Sequence, residues 1–224
     1  MIVNAMTPKE IYKEIKREYS SLLQQILEES EKSRRKFIKA IIFPIVYNFK
    51  WKSPENNNWN VIMMARYRNE RKRPAYIPYL KYETVGIGAY YPKLFENMVC
   101  VFDFRPHFFK RYRERYLIPN GIDNLTFDEQ IKHFFLNSGL FGINFGDGED
   151  DKYIGYTQNG ILLGTMIRED NYICVKTYVS IDMLFSNQMK TLKYFSDSRK
   201  HILANPEYFK NRGTFFKLDG NTVE

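Results

Sequence analysis

The residues best suited to chemistry lie in one short run, Arg105-Pro106-His107-Phe108-Phe109-Lys110-Arg111-Tyr112-Arg113-Glu114-Arg115. On a helix, His107, Arg111, Glu114 and Arg115 share a face, because positions i, i+4, i+7 and i+8 are neighbours. An imidazole beside two guanidiniums joins an acid/base group to a phosphate clamp. That set suits metal-free RNA cleavage: a base removes the 2′-hydroxyl proton, cations stabilise the charge gathering on phosphorus, and an acid protonates the leaving oxygen. The same spacing also fits an ordinary amphipathic helix with Arg111–Glu114 and Arg115–Glu114 contacts on a wet face, and this is the simpler reading.

A second basic group, Arg66, Arg68, Arg71, Lys72 and Arg73, flanks Tyr67 and lies close to Tyr76. Cations interleaved with tyrosines can hold phosphates and stack bases, as a nucleic-acid-binding surface does; a solvated hairpin tip is the plainer alternative. The remaining motifs exclude more than they suggest. No P-loop, dinucleotide glycine signature, His-Glu-x-x-His or paired Cys-x-x-Cys is present. The run Asp147-Gly148-Glu149-Asp150-Asp151 begins like a calcium loop, but Lys152 stands where the glycine is needed and Gln158 where the final glutamate is needed. Three scattered histidines, His107, His133 and His201, do not make a metal site, and no cofactor is expected. Cys100 and Cys174 lie in apolar runs and read as core residues of a protein kept in a reducing compartment.

Around these residues the elements can be placed. Thr7-Pro8-Lys9-Glu10 starts a helix, and apolar residues at Ile11, Ile15, Tyr19, Leu22, Leu23, Ile26 and Leu27 give it a stripe. The charged stretch Glu28 to Lys36 extends it to near Ile42, before Pro44. Trp51 to Asn60 reads as a polar loop. Strands are expected over Val61–Tyr67, Tyr76–Tyr90 (interrupted at Pro78) and Met98–Phe104. A helix over Pro106–Tyr116 follows, anchored by Phe108, Tyr112 and Tyr116. A second helix starts at the Thr126–Glu129 capping box, runs to about Leu136 and stops at Asn137-Ser138-Gly139. Gly142 to Asp151 reads as a glycine-rich acidic loop. Three strands then form a meander, Lys152–Thr157, Ile161–Ile167 and Tyr172–Val179, with Asn159-Gly160 as the first turn. Helices are expected from Ser180 towards Tyr194 and over Ser198–Asn211.

The stretch from about Phe104 to Asp182 combines a His-x-x-x-Arg-x-x-Glu-Arg helix, a second helix and a three-stranded meander. It resembles the small toxin-like nucleases of the barnase–EndoU–colicin–RelE superfold, over under half of the chain. The resemblance implies that His107 and Arg111 form the active-site pair with Arg115 nearby. It also implies that a polar residue on the last strand, Thr177, completes the site, with Tyr178 on the opposite face. It equally implies relatives that keep the fold without the activity.

Composition sets the frame. The 224 residues are 44% apolar and 17% aromatic, enough for a packed α+β core. An N-terminal helix, antiparallel strands, and a helix–helix–meander module with C-terminal helices are expected as a single unit, with 1–103 and 104–224 as the alternative subdivision. Residues 1–118 hold 23 Lys and Arg against 12 Asp and Glu, a net +11, while residues 119–224 carry a net −3. That asymmetry points to RNA or another nucleic acid, or to an acidic protein partner, for the basic half. The first residues lack a secretory pattern, and the most apolar stretch, Ala40–Tyr47, is far short of the ~20 residues a membrane helix needs. A cytoplasmic protein with no membrane association is the expectation. Three functions fit: a toxin-like metal-independent ribonuclease or inactive relative, a non-enzymatic nucleic-acid-binding module, and a structural or interaction protein.

Overall fold

Thr7 caps the first helix as its side chain dictates. Its Oγ1 accepts from the Glu10 amide at 3.3 Å, and the Glu10 carboxylate accepts from the Thr7 amide at 2.7 Å. Helix α1 (Pro8–Ile38) buries Ile11, Ile15, Tyr19, Leu22 and Ile26 along one stripe. It stops four residues short of the expected Ile42, because strand β1 (Ile45–Lys52) begins directly after Pro44 and the chain must turn first. The structure, a computed structural model, describes residues 1–95, 98–137, 142–145 and 151–204. The acidic residues Asp147–Asp150, the Ser138-Gly139 helix stop and the last expected helix beyond Ala204 lie outside the described residues.

The other elements are β2 (Asn58–Ala65), β3 (Ala75–Glu83), β4 (Ile87–Phe95), β5 (Met98–Phe104), α2 (Pro106–Tyr112), α3 (Phe127–Asn137), β6 (Gly142–Phe145), β7 (Lys152–Thr157), β8 (Gly160–Ile167), β9 (Tyr172–Ser180) and α4 (Ser186–Ala204). The fold is α+β. Among the described residues nine strands form one sheet in the order β1-β2-β3-β4-β5-β9-β8-β7-β6. Every neighbouring pair is antiparallel except β5 and β9, which run parallel from Val101↔Tyr172 to Phe104↔Val175. Two antiparallel meanders thus meet at a single parallel seam. The chain forms two units, Met1–Leu184 and Phe185–Glu224. The whole sheet belongs to the first; the described part of the second is α4, one helix where two shorter ones were expected. Residue 103 lies inside β5, near the centre of the sheet.

Several strands differ from expectation. β1 lies between the expected helix end and the expected loop, of which it takes only Trp51 and Lys52. Its outer residues Asn48, Lys50 and Lys52 are exposed, the alternation of a half-buried edge strand. The expected strand Tyr76–Tyr90 is a hairpin of two, β3 and β4, turning at residues 84–86. Gly142–Phe145 is a strand rather than a loop, pairing with β7 as far as Gly142↔Tyr156.

The sheet is covered on both faces. α1 packs on one, over Trp59, Val61, Met63, Tyr90, Val101, Tyr172 and Cys174. On the other, α2 and α3 bury Phe108, Phe109, Tyr112, Phe134 and Phe135 against Phe102, Phe104, Leu162, Val175 and Tyr178. β5 alternates between the two cores, so six of its seven residues are buried. Glu18 of α1 is 1% exposed. Its carboxylate accepts from Ser53 Oγ at 3.1 Å, Trp59 Nε1 at 2.7 Å and the Asn57 amide, tying α1 to the β1–β2 hairpin. No helix among the described residues is long and apolar enough to cross a membrane.

Candidate functional site

The α2 face forms because the opposite face is so apolar. Pro106 sits at the first helical position, and Phe108, Phe109 and Tyr112 are at most 1% exposed, which turns His107, Lys110 and Arg111 outward. Arg111 is the hub. Its Nε donates to His107 Nε2 at 3.2 Å, and its Nη1 donates to Glu114 Oε2 at 2.7 Å. His107 and Glu114 are exposed, and Arg111 is about a third exposed. The hydrogen bond from Arg111 holds the Glu114 carboxyl below its ordinary range, with the Arg111 charge adding to the effect. The structure therefore brings a proton-transfer group, a guanidinium and a carboxylate together on open helix surface.

Arg115 does not join them. After Tyr112 the helix widens into a π turn over Arg113–Leu117 and then a 3₁₀ turn over Ile118–Asn120. The wider turn breaks the 3.6-residue period on which the shared face depends. Arg115 instead donates from Nη1 to the Tyr178 carbonyl at 2.6 Å, fastening the turn to β9. Thr177 stands on the far side of the sheet. The Tyr178 ring packs edge-on against Phe108 and Tyr112, 6.3 and 5.1 Å between centroids, so Tyr178 faces α2. Its strand neighbour Thr177, paired with Leu163, faces the other way. Of the four residues expected at the site, His107 and Arg111 are in contact, Arg115 fastens the helix, and Thr177 points to the α1 side.

His133 is a polar feature for which no role was expected. The Tyr112 hydroxyl and His133 Nδ1 lie 2.9 Å apart, Tyr116 stacks on Tyr112, and Asn159 Nδ2 donates to the Tyr116 hydroxyl at 3.0 Å. Burial pushes the His133 imidazole below its ordinary value. The i, i+4 pair Tyr112 and Tyr116 was visible in the sequence; the histidine that meets it comes from a helix whose packing was not.

The basic group at Arg66–Arg73 caps the hairpin between β2 and β3. A 3₁₀ turn, Arg68–Glu70, is held by buried Glu70, which accepts from the Arg66 amide at 2.7 Å. Arg71 turns inward, donating from Nε to the Arg68 carbonyl and from Nη1 to the Ile38 carbonyl, each at 3.0 Å. The second bond joins this turn to the last turn of α1, where Arg35 and Lys39 are exposed. Arg68, Lys72 and Arg73 are exposed with them, and Tyr67 is 52% exposed. Among the described residues no three His, Cys, Asp or Glu side chains are grouped to hold a metal ion. Comparison with family models, curated proteins and solved structures finds no match to this chain.

Proposed function

We propose that this chain acts on RNA as a metal-independent ribonuclease of the toxin-like kind, with its centre on the outer face of α2. One observation carries the reading: Arg111 holds His107 and Glu114 together on exposed surface. A substrate phosphate draws Arg111 from His107 and frees the Nε2 lone pair. Nε2 then takes the 2′-hydroxyl proton, the 2′-oxygen attacks phosphorus, and the bond to the 5′-oxygen breaks. The same proton passes to that leaving oxygen, so the products are a 2′,3′-cyclic phosphate and a 5′-hydroxyl end. Glu114 keeps Arg111 in place through the exchange. The test is incubation of purified protein with total RNA in EDTA across pH 5 to 8. His107→Ala is expected to lower the cleavage rate by roughly 10²-fold or more; cleavage at the wild-type rate by that variant, or none by the wild type, defeats the reading.

A second reading rests on the Arg71–Ile38 bond, which makes one basic surface from two elements. It takes the protein as a nucleic-acid-binding module without catalysis. It is favoured if RNA binding weakens steeply between about 50 and 200 mM salt and is indifferent to His107→Ala.

A further inference from the structure

At the end of the parallel seam, on the α1 side of the sheet, lies a second polar cluster. Asp103 is fully buried. The Tyr82 hydroxyl donates to its Oδ1 at 2.6 Å and the Tyr172 hydroxyl to its Oδ2 at 2.8 Å. Tyr82 reaches it by crossing Gly88, where any side chain would collide with the Tyr82 ring. Arg105 Nε lies 2.6 Å from Asp103 Oδ2 and donates to the Cys174 sulfur at 3.3 Å. The inner edge of the guanidinium is therefore engaged. Its outer edge is not: the Arg105 side chain is 47% exposed, and its two Nη nitrogens have no partner among the described residues.

Burial of Asp103 is costly. It pushes the carboxyl up from its ordinary range against the pull of the Tyr82 hydroxyl and Arg105. Apolar residues of the same volume could fill such a site at least as stably. What the carboxylate and its two tyrosines provide is orientation, since a guanidinium gripped at Nε presents the end-on fork of its two Nη nitrogens outward. The end of the seam adds charge. The Arg105 amide donates to the Val175 carbonyl at 3.1 Å, holding β9 beside β5 where β5 ends. The next residue of β9, Lys176, is exposed and bulges out of the pairing with β8, which passes from Gly164↔Val175 to Leu163↔Thr177.

We propose that Arg105 anchors an oxyanion-binding site, taking two oxygens of a phosphate or carboxylate group on its outward fork. The fork matches either group bidentately. The site is separate from His107 and stands whether or not α2 cleaves RNA. Nuclear magnetic resonance of the full chain, labelled on the arginine side chains, tests it by titration with inorganic phosphate, acetate and adenosine monophosphate. A saturable shift of the Arg105 resonances is expected, and Arg105→Lys, which keeps the charge but loses the fork, should weaken binding at least about tenfold. Saturation by phosphate and the nucleotide but not acetate assigns a phosphate ligand; saturation by acetate alone assigns a carboxylate. Shifts that never saturate, or that affect all arginines alike, overturn the proposal, as does unchanged affinity in a folded Arg105→Lys variant.

Discussion

At the scale of single residues, the decisive contacts are local in one case and distant in the others. His107 and Arg111 meet because an i, i+4 pair on a helix must, and that was legible in the sequence. Arg115 escaped the same logic because a π turn intervenes, and no residue between Arg113 and Leu117 announces one. Asp103 is an acid in an apolar strand whose tyrosine partners lie 21 and 69 residues away. Glu18 is similar, receiving donors from 35 to 41 residues along the chain. Trp59→Phe removes one of those donors while keeping an aromatic ring, and should cost about 1.5–3 kcal/mol. Glu18→Ala leaves all three buried donors unpaired and should cost more. Urea unfolding with an unchanged denaturant slope is the measurement, and equal stability of both variants with the wild type would dismiss Glu18 as the tie.

At the scale of elements, capping chemistry was the most legible signal and strand pairing the least. Thr126 and Glu129 form the expected box, with the carboxylate accepting from the Thr126 amide at 2.8 Å. The β7–β8–β9 meander also follows the expected boundaries within a residue or so. β1 was missed although Tyr47-Asn48-Phe49-Lys50-Trp51-Lys52 alternates as a half-buried strand does, because Pro44 and the polar run after Trp51 drew attention to a helix end and a loop on either side of it. The bulge between Leu163 and Gly164 was equally invisible, yet it aims the end of β9. Any side chain at Gly164 would collide with the Cys174 carbonyl oxygen. Gly164→Ala should therefore cost about 1–3 kcal/mol, which calorimetry would register as a fall in melting temperature of several degrees. An unchanged melting temperature would mean that the backbone there yields without cost.

At the scale of the whole molecule, acid sensitivity should carry the mark of His133. Burial lowers its pKa from the ordinary value of 6.5, so the unfolded chain takes up the proton first as pH falls. The stability this group contributes is fully present above about pH 6.5 and is lost as pH drops through the lower folded-state value. His133→Gln, which cannot titrate, should flatten that part of the stability curve. Chemical unfolding at pH 7 and pH 5 checks it, and equal slopes in the two proteins would show that other groups govern the acid limb.

The parallel seam also orders events in time. β5 is built to be covered on both faces, yet the strand that closes its open edge begins only at Tyr172, about seventy residues later. At typical synthesis rates of roughly 5–20 residues per second, the nascent chain spends several seconds with Val99-Cys100-Val101-Phe102 presented as an unpaired apolar edge. A chain stalled after Asn137 would hold that edge open indefinitely. Such a product should bind chaperones or precipitate where the full chain stays dispersed, because its first five strands form a sheet waiting for β9.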